Sequence, residues 1–501
     1  MKRLYTFLIC VLVTTVVTYC QINDLRRSTP EAEGIPSEKV SAFLDSLMSA
    51  PGVDIHSAMI LRHGKVVAEI YPEPFRAEYG HQLFSCSKTF TAVAVGLAVA
   101  DNRLRLDDRL ATFFPEMLPD SVGEYLADIT VRDLLTMTSG FEVDTRMRTF
   151  RHDWVHAYLN HPVIAEPGSR FAYDSINTYL LSAIVQRVTG MKIFDYLNQR
   201  IFTPLHITNA YWEESPEGIN AGGWGLYLQP ESLAKFGQLL LNDGKWEGKQ
   251  LLPASWVKEM TSKQIDNKIG DDYGFQMWMC DYPGASRADG AYGQYIIIIP
   301  DKDMVVVITQ CLRKGGDKEQ QWIWDGLLPW VSDKPLAVGK AYRQLKNKIK
   351  NYVHALPEGK AKSAFSRQFE GKEYVLGDNS LNWESVKFGF DNRKIRMYVK
   401  DKAGETSLIE LGYKQWITSQ ISFYPLNARA STLGSFSNVP KEFYVGGGYA
   451  WSGSGELEIK IHFVNWMSAA ALTFHLEKDR LVVDIRNNYS DKKEVVEGTV
   501  E

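Results

Sequence analysis

The chain has 501 residues, which is too long for one ordinary domain and predicts two to four. Hydrophobic residues make up 45% and charged residues 23%, a composition typical of a globular protein with a sizeable core. The net charge of −4 argues against a nucleic-acid partner.

The N-terminus predicts a secretory signal peptide over residues 1–20. Two basic residues precede the apolar run Leu4–Val17, which is shorter than the roughly 20 residues of a membrane helix. Cleavage after Cys20 would leave Gln21 first and place the protein in the periplasm or outside the cell. Lipidation of Cys20, as in a bacterial lipoprotein, is the one alternative that implies membrane attachment. A buried N-terminal helix is the other alternative.

Residues 21–335 are predicted to form one α+β domain. The predicted helices and β-hairpins, in chain order, are Glu38–Ala50, the hairpin Ala58–Ile70, Ser85–Ala100, Val131–Thr136, Asn177–Thr189, Glu231–Leu241 and the hairpin Tyr295–Thr309. Both strands of the second hairpin are continuously apolar, which is typical of strands at a sheet centre that is covered on both faces.

The character of the chain changes in its last third. A polar stretch, Ser332–Gly339, leads into a basic segment that predicts a helix ending near Tyr352, so residues 336–360 are expected to form a linker with a helix. Short segments with alternating apolar residues follow, for example Lys394–Val399. They predict an all-β domain over residues 361–501, either a sandwich or a barrel.

A possible nucleophile lies at the start of the second predicted helix. The pattern Ser-x-x-Lys occurs four times, at Ser85, Ser232, Ser255 and Ser490. Only Ser85 opens a strongly apolar helix, where Lys88 shares its face. Apolar surroundings lower the pKa of a lysine, and its neutral amine can then accept the serine proton. A helix-capping serine beside a surface lysine is the alternative.

Two further features are compatible with the same chemistry. Tyr173 precedes a predicted helix, where its phenol can meet the Ser–Lys pair and relay a proton. The run Ala288–Gln294 opens a strand, and its glycines permit close approach of a substrate. There the N–H of Ala291 can join that of Ser85 as an oxyanion hole. A core tyrosine and a simple tight turn are the alternatives.

Together these segments resemble the penicillin-recognising serine hydrolases of the class C β-lactamase type. That group includes D-alanyl-D-alanine carboxypeptidases, esterases and aminohexanoate-oligomer hydrolases. The resemblance extends from about Pro30 to Thr309 and rests on Phe84–Thr89, Ile129–Gly140, Tyr173–Ser175, Gly222–Leu226 and Gly293–Tyr295. It implies an antiparallel sheet flanked by helices, with a helical subdomain. It also implies Ser85 as nucleophile, Lys88 as base, Tyr173 as second base and acid, and the amides of Ser85 and Ala291 as oxyanion hole.

Two departures from the family pattern bear on the substrate. Ser175 stands where the β-lactamases usually have Asn, and Ala288-Asp289-Gly290 stands where they have Lys-Thr-Gly. The sequence is therefore more similar to the branch of esterases and amide-oligomer hydrolases. The resemblance implies five substrate contacts, namely Ser175, Trp224, Asp289, Gly290 and Tyr292.

The expected activity is hydrolysis of an ester or amide in a small or short peptide-like substrate, through an acyl-enzyme on Ser85. A β-lactamase or a D-alanyl-D-alanine carboxypeptidase is the alternative, and a catalytically silent binding or sensor protein is the alternative of another class. No cofactor is expected. His152, His156 and His161 are close in sequence but lack a carboxylate motif, so no metal site is predicted.

Overall fold

The computed structural model describes residues 25–143, 152–267, 270–313, 318–426, 443–453 and 455–501. The predicted signal peptide, residues 1–20, lies outside the described residues. Within the described ranges, no helix is both long and apolar enough to cross a membrane.

A seven-stranded main sheet lies at the centre of the first part of the chain. The strands up to residue 312 are β1 (Arg26–Arg27), β2 (Val53–Arg62), β3 (Lys65–Ile70), β4 (His81–Gln82), β5 (Tyr211–Trp212), β6 (Leu226–Leu228), β7 (Lys245–Trp246), β8 (Lys249–Gln250), β9 (Trp278–Met279), β10 (Ser286–Gly290), β11 (Gln294–Ile299) and β12 (Met304–Leu312). The main sheet has the order β1-β3-β2-β12-β11-β10-β9, and only β1 and β3 are parallel neighbours in it. The expected antiparallel sheet is confirmed, and β12 with β2 joins the two predicted hairpins.

Helices cover both faces of the main sheet. The α-helices are α1 (Ser37–Ser49), α2 (Ser87–Ala100), α3 (Leu110–Phe113), α4 (Glu124–Asp128), α5 (Val131–Leu135), α6 (Trp154–Leu159), α7 (Ser175–Thr189), α8 (Ile193–Leu197), α9 (Pro230–Leu241), α10 (Ala254–Met260), α11 (Lys318–Gln321), α12 (Lys340–Lys350) and α13 (Ser366–Phe369). Alternate side chains of β11 enter two separate cores. Ile296 packs in the core that contains α2 and α9, and Ile297 packs in the core that contains α1. This two-sided burial explains the continuous apolar sequence of β11.

Two helices begin two residues away from their predicted starts. Helix α2 begins at Ser87 instead of Ser85, because residues 84–86 form a single 3-10 turn. Helix α7 begins at Ser175, two residues early, because the Asp174 carboxylate caps it by accepting the backbone N–H of Ile176 at 3.0 Å. As a result, Ser85 lies in the turn just before α2, and Ser175 is the first residue of α7.

The C-terminal part is an antiparallel sheet that closes on itself. Its strands are β13 (Glu373–Leu376), β14 (Trp383–Asp391), β15 (Lys394–Asp401), β16 (Thr406–Tyr413), β17 (Ile417–Ile421), β18 (Phe443–Trp451), β19 (Leu457–Phe463), β20 (Ala469–Glu477), β21 (Arg480–Asn487) and β22 (Lys493–Val500). The order is β16-β15-β14-β13-β22-β21-β20-β19-β18-β17, and a parallel pairing of β16 with β18 closes the barrel. The expected all-β fold is confirmed, and the barrel is the form it takes.

The segment between the main sheet and the barrel packs against the first part of the chain. Leu345 of α12 is buried in the core beside α1, and Lys348 Nζ lies 2.6 Å from a carboxylate oxygen of Asp45 on α1. The barrel contacts the first part through Trp466, whose ring lies 5.5 Å from that of Phe84. The domain boundaries near residues 335 and 361 stay predictions. Independent folding of the barrel also stays a prediction.

Candidate active site

Ser85 lies in a backbone turn that neighbouring side chains hold tightly. Phe84, directly before it, has a φ of +48°, a left-handed conformation that a bulky residue rarely adopts. The Phe84 N–H donates to Gln82 Oε1 at 2.7 Å, and its ring packs between Tyr292 and the barrel residue Trp466. This packing fixes a strained turn and leaves Ser85 partly exposed at its surface.

The Lys88 amine lies one helical turn further on and is 1% exposed. Its Nζ lies 3.0 Å from Ser85 Oγ, 2.9 Å from Ser175 Oγ and 2.8 Å from the Gly223 carbonyl oxygen. A carbonyl can only accept, so Lys88 donates to Gly223. When a neutral amine donates its two hydrogens to Gly223 and Ser175, its lone pair faces Ser85. The geometry therefore suits removal of the Ser85 proton.

Gly223 is a part of this site that the sequence analysis did not single out. A Cβ at residue 223 would lie 2.7 Å from the backbone oxygen of Ser175, so any other residue would push the chain away from α7. The close approach brings the Gly223 carbonyl within reach of Lys88. The signal available in the sequence was the pair Gly222-Gly223 within a segment that resembles the family.

The phenol of Tyr173 lies beside the Ser85–Lys88 pair. Lys88 Nζ is 4.8 Å from the centre of the Tyr173 ring, and the ring packs against Trp278 at 5.3 Å. Burial raises the pKa of Tyr173 well above its ordinary value, a hydrogen bond with Ser85 opposes this shift, and the charge of Asp289 adds to it. A phenol is protonated at neutral pH even at its ordinary pKa, and the raised pKa of Tyr173 keeps it protonated at higher pH.

The end of β10 forms one wall of the site, beside the turn that contains Ser85. A Cβ at Gly290 would lie 2.3 Å from the Leu83 carbonyl oxygen, so the strand reaches the turn before Ser85 only because this residue is glycine. Ala291 follows and is exposed. Within the described ranges, neither the Ser85 N–H nor the Ala291 N–H donates to a protein group, as the expected oxyanion hole requires.

The charged residues on β10 pair with each other. Arg287 donates to Asp289 at 2.9 Å and to Asp271 at 2.7 Å, and its side chain is only 7% exposed. The Arg287 guanidinium is therefore held in two ion pairs and is not available to bind a substrate carboxylate. Asp289 itself is 27% exposed and borders the site.

The other predicted substrate contacts take different positions. Ser175 lies at the start of α7 with its hydroxyl on Lys88. Tyr292 has a φ of +63° and packs between Phe84 and the barrel residue Tyr489. The Trp224 side chain is 5% exposed and packs in the core, so its contact with a substrate stays a prediction. An indole buried in this way has little surface to offer a substrate.

Gly290 offers a direct test of the wall that β10 forms. We expect Gly290→Ala to lower turnover at least about tenfold and stability by about 1–3 kcal/mol, since the new methyl group overlaps the Leu83 carbonyl. The matched control is Gly123→Ala, where a Cβ has no atom within 4 Å. Steady-state kinetics and thermal unfolding measure both effects. An unchanged Gly290→Ala enzyme would mean that the strand end does not support the Ser85 turn.

Comparison with known proteins agrees with this geometry. The family model described as Beta-lactamase matches residues 40–325, more than half of the chain. The chain belongs to the β-lactamase family. The match includes Ser85, Lys88, Tyr173 and all of β10, and it ends before the barrel. Members of this family are hydrolases.

Individual relatives within the β-lactamase family are distant. The chain is 24% identical over 302 residues to the 6-aminohexanoate-dimer hydrolase of Paenarthrobacter ureafaciens, covering 55% of this chain and 77% of that protein. It is 28% identical over 142 residues to protein flp of Staphylococcus aureus, covering 27% of this chain and 28% of that protein. A penicillin-binding protein homologue from Caulobacter crescentus matches with a TM-score of 0.50 at 16% identity, over 57% of this chain and 95% of that one. The structural likeness shows the fold alone.

Proposed function

We propose that this protein hydrolyses an ester or amide bond through an acyl-enzyme on Ser85. The observation that carries the proposal is the position of the Lys88 amine, buried and 3.0 Å from Ser85 Oγ. A core lysine without a catalytic role has no reason to lie against a partly exposed serine hydroxyl at a surface turn. This position argues against a silent binding protein.

The reaction begins when Ser85 Oγ attacks the substrate carbonyl carbon while Lys88 Nζ takes its proton. The backbone N–H groups of Ser85 and Ala291 stabilise the oxyanion. Tyr173, which is protonated at neutral pH, donates to the leaving group while Lys88 returns a proton to the phenol. Water then attacks the carbonyl carbon of the acyl-enzyme, and the Lys88–Tyr173 pair takes a proton from that water. The same pair returns the proton to Ser85 Oγ as the bond to the acyl group breaks, which releases the acid and restores the serine hydroxyl. Ser175 and Gly223 hold the lysine in place throughout.

The charges around β10 support esters and amides over β-lactams. A β-lactam carries a carboxylate, which a lysine at position 288 would bind in the family pattern. Here Ala288 is buried, Asp289 is negative, and Arg287 is already paired with two aspartates. A missing charge-assisted hydrogen bond costs about 1.5–3 kcal/mol, or at least tenfold in binding. The name of the Paenarthrobacter relative, a 6-aminohexanoate-dimer hydrolase, points to an amide of an amino acid as a second substrate class to test.

The test is a side-by-side measurement of kcat/KM on an aryl acetate, a D-amino acid amide and a chromogenic cephalosporin. We expect turnover of the aryl acetate, and at least about tenfold lower kcat/KM on the cephalosporin, for the reason given above. The same panel with Ser85→Ala gives the background of each substrate. A cephalosporin hydrolysed faster than the ester would replace this proposal with a β-lactamase.

A further inference from the structure

Three side chains of metal-binding types meet where the main sheet, the segment after α12 and the barrel come together. Asp54 lies on β2, His354 follows α12, and His462 lies on β19. One ligand atom from each lies within 4.8 Å of the others. The Nδ1 atoms of His354 and His462 lie 3.4 Å and 3.8 Å from carboxylate oxygens of Asp54.

The hydrogen bonding of His354 leaves a gap that a cation would fill. Its Nε2 lies 2.8 Å from the Ile55 carbonyl oxygen, which can only accept, so Nε2 carries a hydrogen. In the neutral ring, Nδ1 then has a lone pair that faces the Asp54 carboxylate. Two acceptors at this distance repel each other, and either a second proton on the ring or a bound cation removes that repulsion.

His462 presents the same need more strongly. Its side chain is 0% exposed, and within the described ranges neither ring nitrogen has a hydrogen-bond partner. Burying an unpartnered polar atom costs about 1–3 kcal/mol, so such atoms are rare in native proteins. The Nδ1 atom lies towards Asp54. A metal ion bound to that nitrogen would remove this cost for one of the two atoms.

A second layer of contacts orients Asp54 and His354. Asn488 Nδ2 donates to Asp54 Oδ2 at 2.7 Å, and the indole N–H of Trp416 donates to the backbone oxygen of His354 at 3.1 Å. Metal-binding histidines characteristically donate their other N–H to a carbonyl, as His354 does to Ile55. A surface cleft lined by Asp54 and His354 gives solvent access to the site.

We propose that Asp54, His354 and His462 bind one transition-metal ion, best matched by Zn²⁺, which links the main sheet to the barrel. Two imidazole nitrogens and one carboxylate oxygen suit zinc, whereas Ca²⁺ and Mg²⁺ prefer oxygen ligands. With bonds of about 2.0–2.2 Å, tetrahedral ligand atoms lie about 3.4 Å apart. The histidines lie 3.4 Å and 3.8 Å from Asp54, and the three ligand atoms lie within 4.8 Å of one another, so the side chains must move closer together to bind the ion. Water from the cleft takes the fourth position.

The charge of Lys460 opposes this binding. Lys460 lines the same cleft, interacts electrostatically with Asp54 and both histidines, and donates to the Ala355 carbonyl at 3.1 Å. Its ammonium group therefore weakens the attraction for a divalent cation. We expect Lys460→Met to bind Zn²⁺ more tightly than the unchanged chain, a result that a purely structural histidine cluster does not produce.

The experiment removes metal from the full purified chain with a chelator and then titrates Zn²⁺ and Co²⁺. We expect one ion per chain by elemental analysis, visible Co²⁺ absorption typical of four-coordinate sites, and a Zn²⁺-dependent rise in Tm of several degrees. His462→Gln should bind at least about 100-fold more weakly, and Asn488→Ala about 10–100-fold more weakly. His475→Gln, a partly exposed barrel histidine beside Glu477, is the matched control and should bind normally.

Two results would overturn the proposal. One is a chain that takes up neither Zn²⁺ nor Co²⁺ after loading. The other is a folded His462→Gln variant with unchanged affinity, judged by circular dichroism and by labelling of Ser85. If His462→Gln does not fold, the Asn488→Ala and Lys460→Met titrations decide, because one must weaken and the other strengthen metal binding.

Discussion

Replacement of Ser85 by alanine should abolish both covalent labelling by a serine-reactive phosphonate and hydrolysis of aryl esters. We expect kcat to fall roughly 10⁶-fold, the order of magnitude seen when a serine hydrolase loses its nucleophile. The loss is chemical and not structural, because Ser85 is partly exposed and its hydroxyl bonds to Lys88 and Tyr173, the two groups that transfer protons. Intact-mass spectrometry after labelling, together with steady-state kinetics, measures both effects.

The control for this prediction is built into the sequence. Ser232 has the same Ser-x-x-Lys spacing on α9, and both Ser232 and Lys235 are buried. Lys235 Nζ binds the His206 carbonyl at 3.4 Å, away from the site. Ser232→Ala and the exposed Ser255→Ala should therefore keep full labelling. Labelling that survives Ser85→Ala and disappears in another serine variant would assign the nucleophile elsewhere.

Removal of the two proton-transfer groups should give the second largest effect. We expect Lys88→Met and Tyr173→Phe each to reduce kcat about 10²–10⁴-fold, the usual contribution of general acid–base catalysis. Methionine preserves the length and packing of the buried lysine. Phenylalanine preserves the ring contact with Trp278 and removes only the hydroxyl. Stopped-flow and steady-state assays compare both variants with the unchanged enzyme.

The choice of substrate separates the two roles. An aryl ester has a good leaving group, so Tyr173→Phe should slow ester hydrolysis less than amide hydrolysis. Lys88→Met should slow both reactions alike. The raised pKa of Tyr173 also fixes the direction of the pH dependence. Its phenol stays protonated through the ordinary tyrosine range, so activity should not fall towards pH 10 through its ionisation. Equal effects of Tyr173→Phe on ester and amide would argue against proton donation to the leaving group.

The sequence by itself determined the elements whose information is local. The apolar run Tyr295–Thr309 specified a central hairpin, because strands buried on both faces need apolar residues at every position. The alternating segments after residue 361 specified a β domain, because successive side chains of a strand face opposite sides of the sheet. The pairing of Ser85 with Lys88 was predictable, because residues three apart in a helix-like backbone share one face.

Only the tertiary structure decided what depends on distant contacts. The pairing of β16 with β18 made the β domain a barrel, and strand closure leaves no mark in any single segment. The core decided that Trp224 is buried, and paired aspartates decided that Arg287 is fixed. The Gly223 carbonyl reaches Lys88 from 135 positions away, and Asp54 meets His462 across the whole length of the fold. Hydrogen bonds and ion pairs of this kind form only after the chain has packed, so no spacing in the sequence encodes them.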